Sequence, residues 1–211
     1  MTTTSYIAAT SAEATSLTLP SHQAGDTIVI VAARVGNTTP PTMPSGWVSF
    51  VSRSNNGIGS VVAYKIAASA SETSGTWTNA THMAAATYRN DTNYLLMGAV
   101  GQNGNFSTAI NYAALTMRAT SWLVGIVILA TNSTTGDTAP SGMTRRLDLI
   151  GASSGEVAIA DTNGTVSAWS STNGTSGSNV NYHTHLIELF DTGIAKTSVS
   201  LNPFTSLFGR P

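Results

Sequence analysis

The chain has 211 residues and a formal net charge of -1, and only 9% of its residues are charged, against about 25% in ordinary soluble domains. The nine Lys and Arg residues are scattered, and there is neither a basic amphipathic helix nor an apolar run of about 20 residues, so we expect no nucleic-acid or membrane partner. The absence of cysteine excludes disulfides and thiolate metal sites.

The chain contains an internal repeat. Residues 27–65 align with residues 123–161 at a constant offset of 96 without a gap, and PSGW at 44–47 falls on PSGM at 140–143. Such a repeat predicts one supersecondary unit used twice around a single core. The repeat favours a structural module over an enzyme, because duplication preserves packing. A catalytic site would appear as a difference between the two halves, and few such differences are found.

Strand patterns dominate the chain. Continuous β-branched or aliphatic runs, typical of strands covered on both faces, occupy residues 27–35 and 122–130. Alternation predicts a further strand at residues 60–67. More strands are predicted at residues 94–100, 109–117, 157–161, 165–169 and 181–190. The Ala-rich residues 66–70 and 82–86 lack a helical period with caps and are predicted to be non-helical.

Turn residues separate these strands. Asn163-Gly164 is the strongest hairpin signal, and Asn55-Asn56-Gly57 is another of the predicted turns. The second half carries about six extra residues, which we place at 170–180 as a long polar hairpin loop.

The predicted fold is an all-β, jelly-roll-like β-sandwich built from two sequence-related halves. The duplicated domain spans residues 21–191, with halves at about 21–100 and 115–191. Residues 1–20 hold an N-terminal arm and a first strand, and residues 192–211 form a C-terminal tail.

His183 and His185 form an H-x-H pair whose rings share one face of a strand, a geometry that can chelate zinc or copper. Further ligands are needed, but Glu188 lies on the opposite face by alternation. His82 aligns with Thr184 at an offset of 102, so no duplicated metal site is predicted. We therefore expect neither a metal nor another cofactor.

Three acidic residues unique to the second half could converge beside its hairpin: Asp148, Glu156 and Asp161. Their counterparts in the first half are Ser52, Ser60 and Lys65. A glycosidase needs two carboxylates facing one cleft, but a surface ion-pair patch with Arg145 and Arg146 explains these acids more simply. We predict no catalytic residue and no enzyme activity.

Aromatic side chains suggest contacts with partners. Trp47 and Trp122 fall inside apolar strands and are predicted to be core, whereas Trp77 and Trp169 are candidates for exposed platforms that stack on sugars. In the tail, Phe204, Phe208 and Arg210 are possible partner contacts, either with the chain's own domain or with a neighbour.

Several motifs resemble a β-sandwich module that is widespread in tailed-phage virion structural proteins. They are PSGW at 44–47 and VVAYK at 61–65 in the first half, and SWLVG at 121–125, PSGMTRRLD at 140–148 and VAIAD at 157–161 in the second. The resemblance covers residues 20–191 and implies a virion component of the head-decoration or tail-appendage type. It implies no catalytic residues.

The resemblance leads to one main expectation and one alternative. The first is a non-enzymatic capsid decoration or cement protein, assembled into the virion in the bacterial host cytoplasm, that stabilises the head by protein–protein contacts. Its partners would be the major capsid protein or other virion proteins and further copies of itself, as a homo-oligomer such as a trimer. The alternative is a tail-fibre or baseplate domain that binds a host-surface glycan.

Overall fold

The computed structural model describes residues 4–90, 95–96, 99–118, 120–131, 137–152 and 154–191. The described part of the chain is built from strands: β1 (Ser5–Ala12), β2 (Thr27–Val35), β3 (Val48–Asn55), β4 (Ile58–Ile66), β5 (His82–Arg89), β6 (Leu95–Leu96), β7 (Ala99–Tyr112), β8 (Ser121–Leu129), β9 (Thr144–Ile150), β10 (Glu156–Val166) and β11 (Thr172–Asp191). These residues include no helix that is long and apolar enough to cross a membrane.

The strands form two antiparallel sheets with the same strand order. The first sheet runs β1-β5-β2-β4-β3; in the second, β7 and β6 pair along β11, followed by β8, β10 and β9. The predicted all-β sandwich of two related halves is confirmed. The term jelly-roll-like holds only in the sense of two packed antiparallel sheets, because each half completes its own sheet instead of sending strands alternately to both.

Three apolar clusters hold the sandwich together. The central cluster joins the facing sides of the two sheets, for example through Val31 and Val62 from the first and Ile126 and Ile159 from the second. The outer face of the first sheet is covered by loops that bring together Trp47 and Trp77, whose rings meet edge to face at 5.7 Å. A third cluster covers the outer face of the second sheet. The central strands β2 and β8 are therefore buried on both faces, as their continuous apolar runs predict, whereas the edge strands β3 and β9 are largely exposed.

The offset of 96 holds at the matching turns but fails in the strands beside them. Gly46 and Gly142 adopt nearly the same left-handed φ, 86° and 87°. However, Val61 belongs to the outer cluster of its sheet, while Val157, which the gap-free alignment places opposite it, points into the central core. Because side chains alternate along a strand, residues that point the same way in the two halves must here be separated by an odd number of positions. The strand pairings match Val31 with Ile126 before the turn, an offset of 95, and Val62 with Ile159 after it, an offset of 97. The sequence alignment at a constant 96 is the mean of these two offsets.

The predicted turn at residues 55–57 and the predicted hairpin at Asn163-Gly164 have different outcomes. Asn56 and Gly57 join β3 to β4 with φ values of 54° and 78°, as a type I′ turn requires, and this prediction is confirmed. Asn163-Gly164 does not form a hairpin. It lies inside β10, where the register against β8 shifts between Asp161 and Thr165. The positive φ that Asn and Gly tolerate serves a β-bulge as well as a turn.

The predicted loop at residues 170–180 is also wrong, because β11 begins at Thr172. Its first residues pair with the end of β7, Thr172 with Tyr112 and Thr175 with Ala109. The resulting ribbon lies over the outer face of the second sheet and buries Ile110 and Tyr112 there. The extra residues of the second half therefore cover the outer face of their sheet, as the loops that carry Trp47 and Trp77 cover the outer face of the first sheet.

Other strand ends differ from the prediction. The strand expected to reach residue 117 ends at Tyr112, and the one expected at 165–169 is the end of β10, which stops at Val166. Beyond these ends, Leu115 and Trp169 form a single β-bridge. Residues 82–86 lie within β5, as their rejection as a helix anticipates.

Candidate functional site

Two histidines of β11 meet one hydroxyl of the first sheet. His183 and His185 share the inner face of β11, as their spacing predicts, and both are fully buried. Ser60 Oγ on β4 lies 2.9 Å from His183 Nδ1 and 3.2 Å from His185 Nε2. A hydroxyl can donate to one neutral imidazole and accept from the other, so this arrangement ties the two sheets together.

The surroundings of both imidazoles favour the neutral form. Burial lowers the pKa of His183 to about 4, and the nearby charge of Arg53 acts in the same direction. Burial lowers the pKa of His185 to about 3, assisted by His183 and then by Arg53.

The histidine pair gains no third metal ligand among the residues that the structure describes. Glu188 lies on the opposite face of β11, as predicted, where it accepts a hydrogen bond from Ser121 Oγ. His82 lies at the start of β5, next to Thr81 Oγ1. His82 pairs with Ala33 in the first sheet, and His183 pairs with Ile128 in the second. The structure therefore makes His183 the equivalent of His82, whereas the sequence alignment had matched His82 with Thr184.

A serine hydroxyl beside an imidazole can also activate a nucleophile. Here Ser60, His183 and His185 are all without solvent exposure, between two packed sheets. A substrate has no route to the hydroxyl, so we assign the cluster a structural role.

A carboxylate cluster lies at the edge of the second sheet. Oxygens of Asp137, Asp148 and Glu156 all lie within 4.8 Å of one another. Asp137 and Glu156 are buried, and the Asp137 backbone N–H donates to Glu156 Oε1 at 2.9 Å. Arg145 binds both carboxylate oxygens of Asp137 and lies 3.8 Å from Asp148. The predicted convergence of Asp148 and Glu156 is thus observed, with Asp137 as a member that sequence reasoning missed.

Glu156 keeps its proton well above the usual range. Burial raises its pKa to about 8, and the hydrogen bond to the Asp137 side chain adds to the effect. Burial also raises the pKa of Asp148, while Arg145 lowers it. At neutral pH Glu156 is therefore protonated and can donate a hydrogen bond to the Asp137 side chain, which also binds Arg145.

This charge arrangement decides what the cluster can do. Three carboxylates are the oxygen ligands that Ca²⁺ or Mg²⁺ would use. A divalent cation would have to displace the Glu156 proton and compete with Arg145 for Asp137, so the residues fit a compensated ion network better than a metal centre. Glycoside hydrolysis needs two carboxyl groups that face one open cleft, whereas Asp137 and Glu156 are buried and only Asp148 of the cluster is exposed.

Asp161 does not join the cluster, contrary to the expected convergence of all three acids. Its position on β10 has the opposite parity to Glu156, so its side chain points into the central core. There it binds Arg146 through two oxygens, at 2.8 and 2.9 Å, and accepts a hydrogen bond from Tyr88.

The two tryptophans proposed as sugar platforms differ. Trp77 is fully buried, and its Nε1 donates to the Ser74 carbonyl, so the expectation that it is exposed is wrong; its polar neighbours belong to the loop that folds over it. Trp169 is half-buried and lines a surface cavity of about 480 Å³ with Leu115, Met117, Ser167 and Ser170. Trp47 and Trp122 are core residues, as predicted.

Phe204, Phe208 and Arg210 lie outside the described residues. Comparison of the chain with protein-family models, curated proteins and solved structures gave no match.

The surface is poor in charge because most charges face inward or are paired. Of the fifteen charged residues whose exposure the structure describes, only Glu13, Arg118 and Asp148 are well exposed. The four closest ion pairs are Asp26–Arg89, Glu72–Lys65, Asp137–Arg145 and Asp161–Arg146. The remaining described exterior consists largely of hydroxyl, amide and small side chains, which cost much less hydration energy than charged groups when another protein covers them.

Proposed function

We propose that the protein is a non-enzymatic virion structural protein of a tailed phage, and specifically a capsid decoration protein. The observation that carries the proposal is the nearly uncharged exterior of the sandwich. Neighbouring copies with such surfaces do not repel one another, and their close packing leaves few charges to desolvate. The resemblance of the PSGW and PSGM segments to virion modules points to the same class.

The sandwich suits this role mechanically. The central strands of both sheets are buried on both faces, and the two sheets are joined by the central apolar cluster and by the contacts of Ser60 with His183 and His185. Decoration stabilises a shell by burying interface across capsomer junctions, which requires a rigid body and no chemistry. Partners would be the major capsid protein and further copies of the chain, with a trimer as the oligomer to test.

Binding to phage heads tests the proposal. Purified protein is expected to co-sediment saturably with heads that lack it, and to raise the temperature at which those heads release DNA, because ligand binding stabilises the bound state. Heads that already carry the protein are the matched control and should bind none. Absence of binding, together with absence of the protein from purified virions, would refute the proposal.

The cavity beside Trp169 favours a second candidate function, a tail-fibre or baseplate domain that binds a host-surface glycan. A half-exposed indole next to serine and threonine hydroxyls provides the stacking face and hydrogen-bonding groups that sugars use. On this hypothesis, host-surface polysaccharide should quench tryptophan fluorescence saturably, and Trp169→Ala should abolish the quench. Trp77→Phe is the control, because Trp77 is buried beneath loops; an unchanged quench in Trp169→Ala would exclude this cavity.

A further inference from the structure

The two sheets of the sandwich share their ends. At one end, Glu13 follows β1 directly, and its Oε1 accepts a hydrogen bond from the Ala152 N–H, between β9 and β10, at 2.6 Å. At the opposite end, the Arg118 N–H donates to Glu188, which pairs with Leu123 near the beginning of β8. We name these the acidic end and the basic end, after the exposed charge that each carries. The nine residues of β2 span the distance between them, about 30 Å.

The exposed charges at the two ends have no partner of opposite sign in the described chain. Neither Glu13 nor Arg118 forms an ion pair with another described residue, and the Arg118 guanidinium lies 5.9 Å from the ring centre of Phe190. Asp148, the third well-exposed charge, has Arg145 at 3.8 Å. The described chain therefore presents an unpaired negative charge at one end and an unpaired positive charge at the other.

Large apolar side chains of the described chain are exposed only at these two ends. At the acidic end, Phe106 is 71% exposed and Ile150, the last residue of β9, is 49% exposed. At the basic end, Val48 opens β3 with 51% exposure and Ile66 closes β4 with 41%. Each end thus combines two exposed apolar side chains with one unpaired charge, a combination typical of protein–protein contact surfaces.

Phe106 is held in its exposed position by a strained backbone. Its φ is 39°, in the left-handed region that a bulky side chain rarely adopts. Its N–H donates to Asn181 Oδ1 at 3.0 Å, in the β-bulge where the register of β7 against β11 shifts between Val180 and Tyr182. Tyr182 pairs with Leu129, the last residue of β8, which places Phe106 at the acidic end. Backbone strain of this kind is concentrated at functional sites.

We propose that the acidic end of one copy docks on the basic end of a second copy. Glu13 of one copy then lies against Arg118 of the next, and Phe106 and Ile150 contact the apolar pair of the basic end. An exposed ion pair contributes little free energy by itself, so the apolar contacts supply most of the stability and the charges fix the orientation. The contact joins unlike surfaces, so copies close into a ring where the angle permits, as in a trimer, and otherwise extend in a row.

A second copy is the occupant that the charges favour. Two acidic ends, or two basic ends, repel each other, so pairing of like ends about a two-fold axis is disfavoured. Among the described residues, the sides of the sandwich carry neither a large exposed apolar side chain nor a well-exposed charge without a partner. The inference rests on the proposed function only for the expectation that the chain self-associates. Self-association is measured in solution without phage heads, so its failure is distinct from a failure to bind heads.

Charge reversal tests the contact, with sedimentation velocity of the full chain at low salt as the measurement. Glu13→Arg and Arg118→Glu each bring like charges together, so the dissociation constant should rise about tenfold or more. An equimolar mixture of the two variants brings opposite charges together at every contact and should associate as the natural protein does. The double variant Glu13→Arg/Arg118→Glu should do the same. Natural protein that stays monomeric, or single variants that associate as strongly as it does, would overturn the proposal.

Two further variants separate the effect of the charge from effects on folding and on net charge. Glu13→Gln keeps an oxygen for the Ala152 N–H and removes only the charge, so it should weaken association less than Glu13→Arg. Ser52→Arg adds a positive charge at an exposed position in the middle of β3, away from both ends, and should leave association unchanged. Urea midpoints report that each variant is folded. Equal weakening by Ser52→Arg and Glu13→Arg would reveal a net-charge effect and refute the specific contact.

Disulfide trapping distinguishes contacts between unlike ends from contacts between like ends, because the natural chain contains no cysteine. Thr15→Cys lies at the acidic end and Thr120→Cys at the basic end, and both positions are exposed. Under mild oxidation, a mixture of the two variants should form the linked dimer about tenfold faster than either variant alone, because docking raises the effective concentration of the two thiols. Dimers that form equally fast in the separate solutions would contradict docking of unlike ends.

Discussion

Acidification from pH 6.5 to pH 4 is expected to destabilise the protein steeply, chiefly through His183 and His185. Both imidazoles are buried and neutral in the folded state, with pKa values of about 4 and about 3, whereas the unfolded chain protonates them near 6.5. Between these values the unfolded state binds more protons than the folded state. Stability is therefore complete above pH 6.5 and is lost as the pH falls toward the folded pKa values, at about 1.4 kcal/mol per pH unit for each histidine.

The structural reason is the single hydroxyl between the rings. Ser60 Oγ can make one hydrogen bond to each of two neutral imidazoles, but two imidazolium ions would place two positive charges on buried rings whose centres are 6.3 Å apart. Arg53 would add a third positive charge. Protonation of the pair is therefore strongly disfavoured as long as the interface between the sheets stays closed.

Urea unfolding at pH 7, 6, 5 and 4 measures this dependence. In His183→Gln/His185→Gln the urea midpoint should vary much less with pH than in the natural protein, because the groups that bind the extra protons are gone. His22→Gln is the control, since His22 is only partly buried and contacts the Pro20 carbonyl away from the core.

A second measurement keeps the expectation testable if the double variant folds poorly. The imidazole NMR signals of His183 and His185 should remain those of neutral rings down to the pH at which the natural protein unfolds. Titration of either signal near pH 6.5 in the folded protein would contradict the prediction.

Sequence pattern predicted the architecture well because the repeat is a property of packing. Two runs of β-branched residues, at 27–35 and 122–130, correspond closely to the central strands β2 and β8, which are buried on both faces. The direction in which each side chain points could not be inferred by aligning one half with the other. The structural match is shifted by one residue on each side of the PSG turn, so the aligned residues Val61 and Val157 are similar in type but lie on opposite faces of their sheets.

The candidate sites were only partly predictable, for physical reasons. Equal parity correctly placed His183 and His185 on one face, but nothing local to β11 indicated Ser60, which is 123 residues away and belongs to the other sheet. Asp137 likewise reaches Glu156 from a preceding segment that has no periodic pattern. The composition of residues 170–180 predicted a loop, because small polar residues are typical of loops. Residues from Thr172 onward form a strand instead, since pairing with β7 requires only backbone groups and no apolar side chains.

Raising the pH from 6.5 to 8 is expected to weaken the fold through Glu156. The pKa of this carboxyl is about 8 in the folded protein, raised first by burial, against 4.5 as the ordinary value. Between these values the folded state holds one more proton than the unfolded state. The stabilisation is therefore fully present below pH 4.5 and is lost as the pH rises through about 8, at about 1.4 kcal/mol per pH unit.

The Glu156→Gln variant isolates this effect, because an amide keeps the shape of the protonated carboxyl and a donor for Asp137 or Asp148. Its stability should change little between pH 6.5 and 8, so that it exceeds the natural protein by on the order of 2 kcal/mol at pH 8 relative to pH 6.5. Glu72→Gln is the control: Lys65 lowers the pKa of Glu72, so its titration is complete well below this window. Urea midpoints at pH 6.5, 7.25 and 8 provide the measurement. A Glu156→Gln midpoint that falls in parallel with that of the natural protein would show that Glu156 releases no proton in this pH window, and would contradict the prediction.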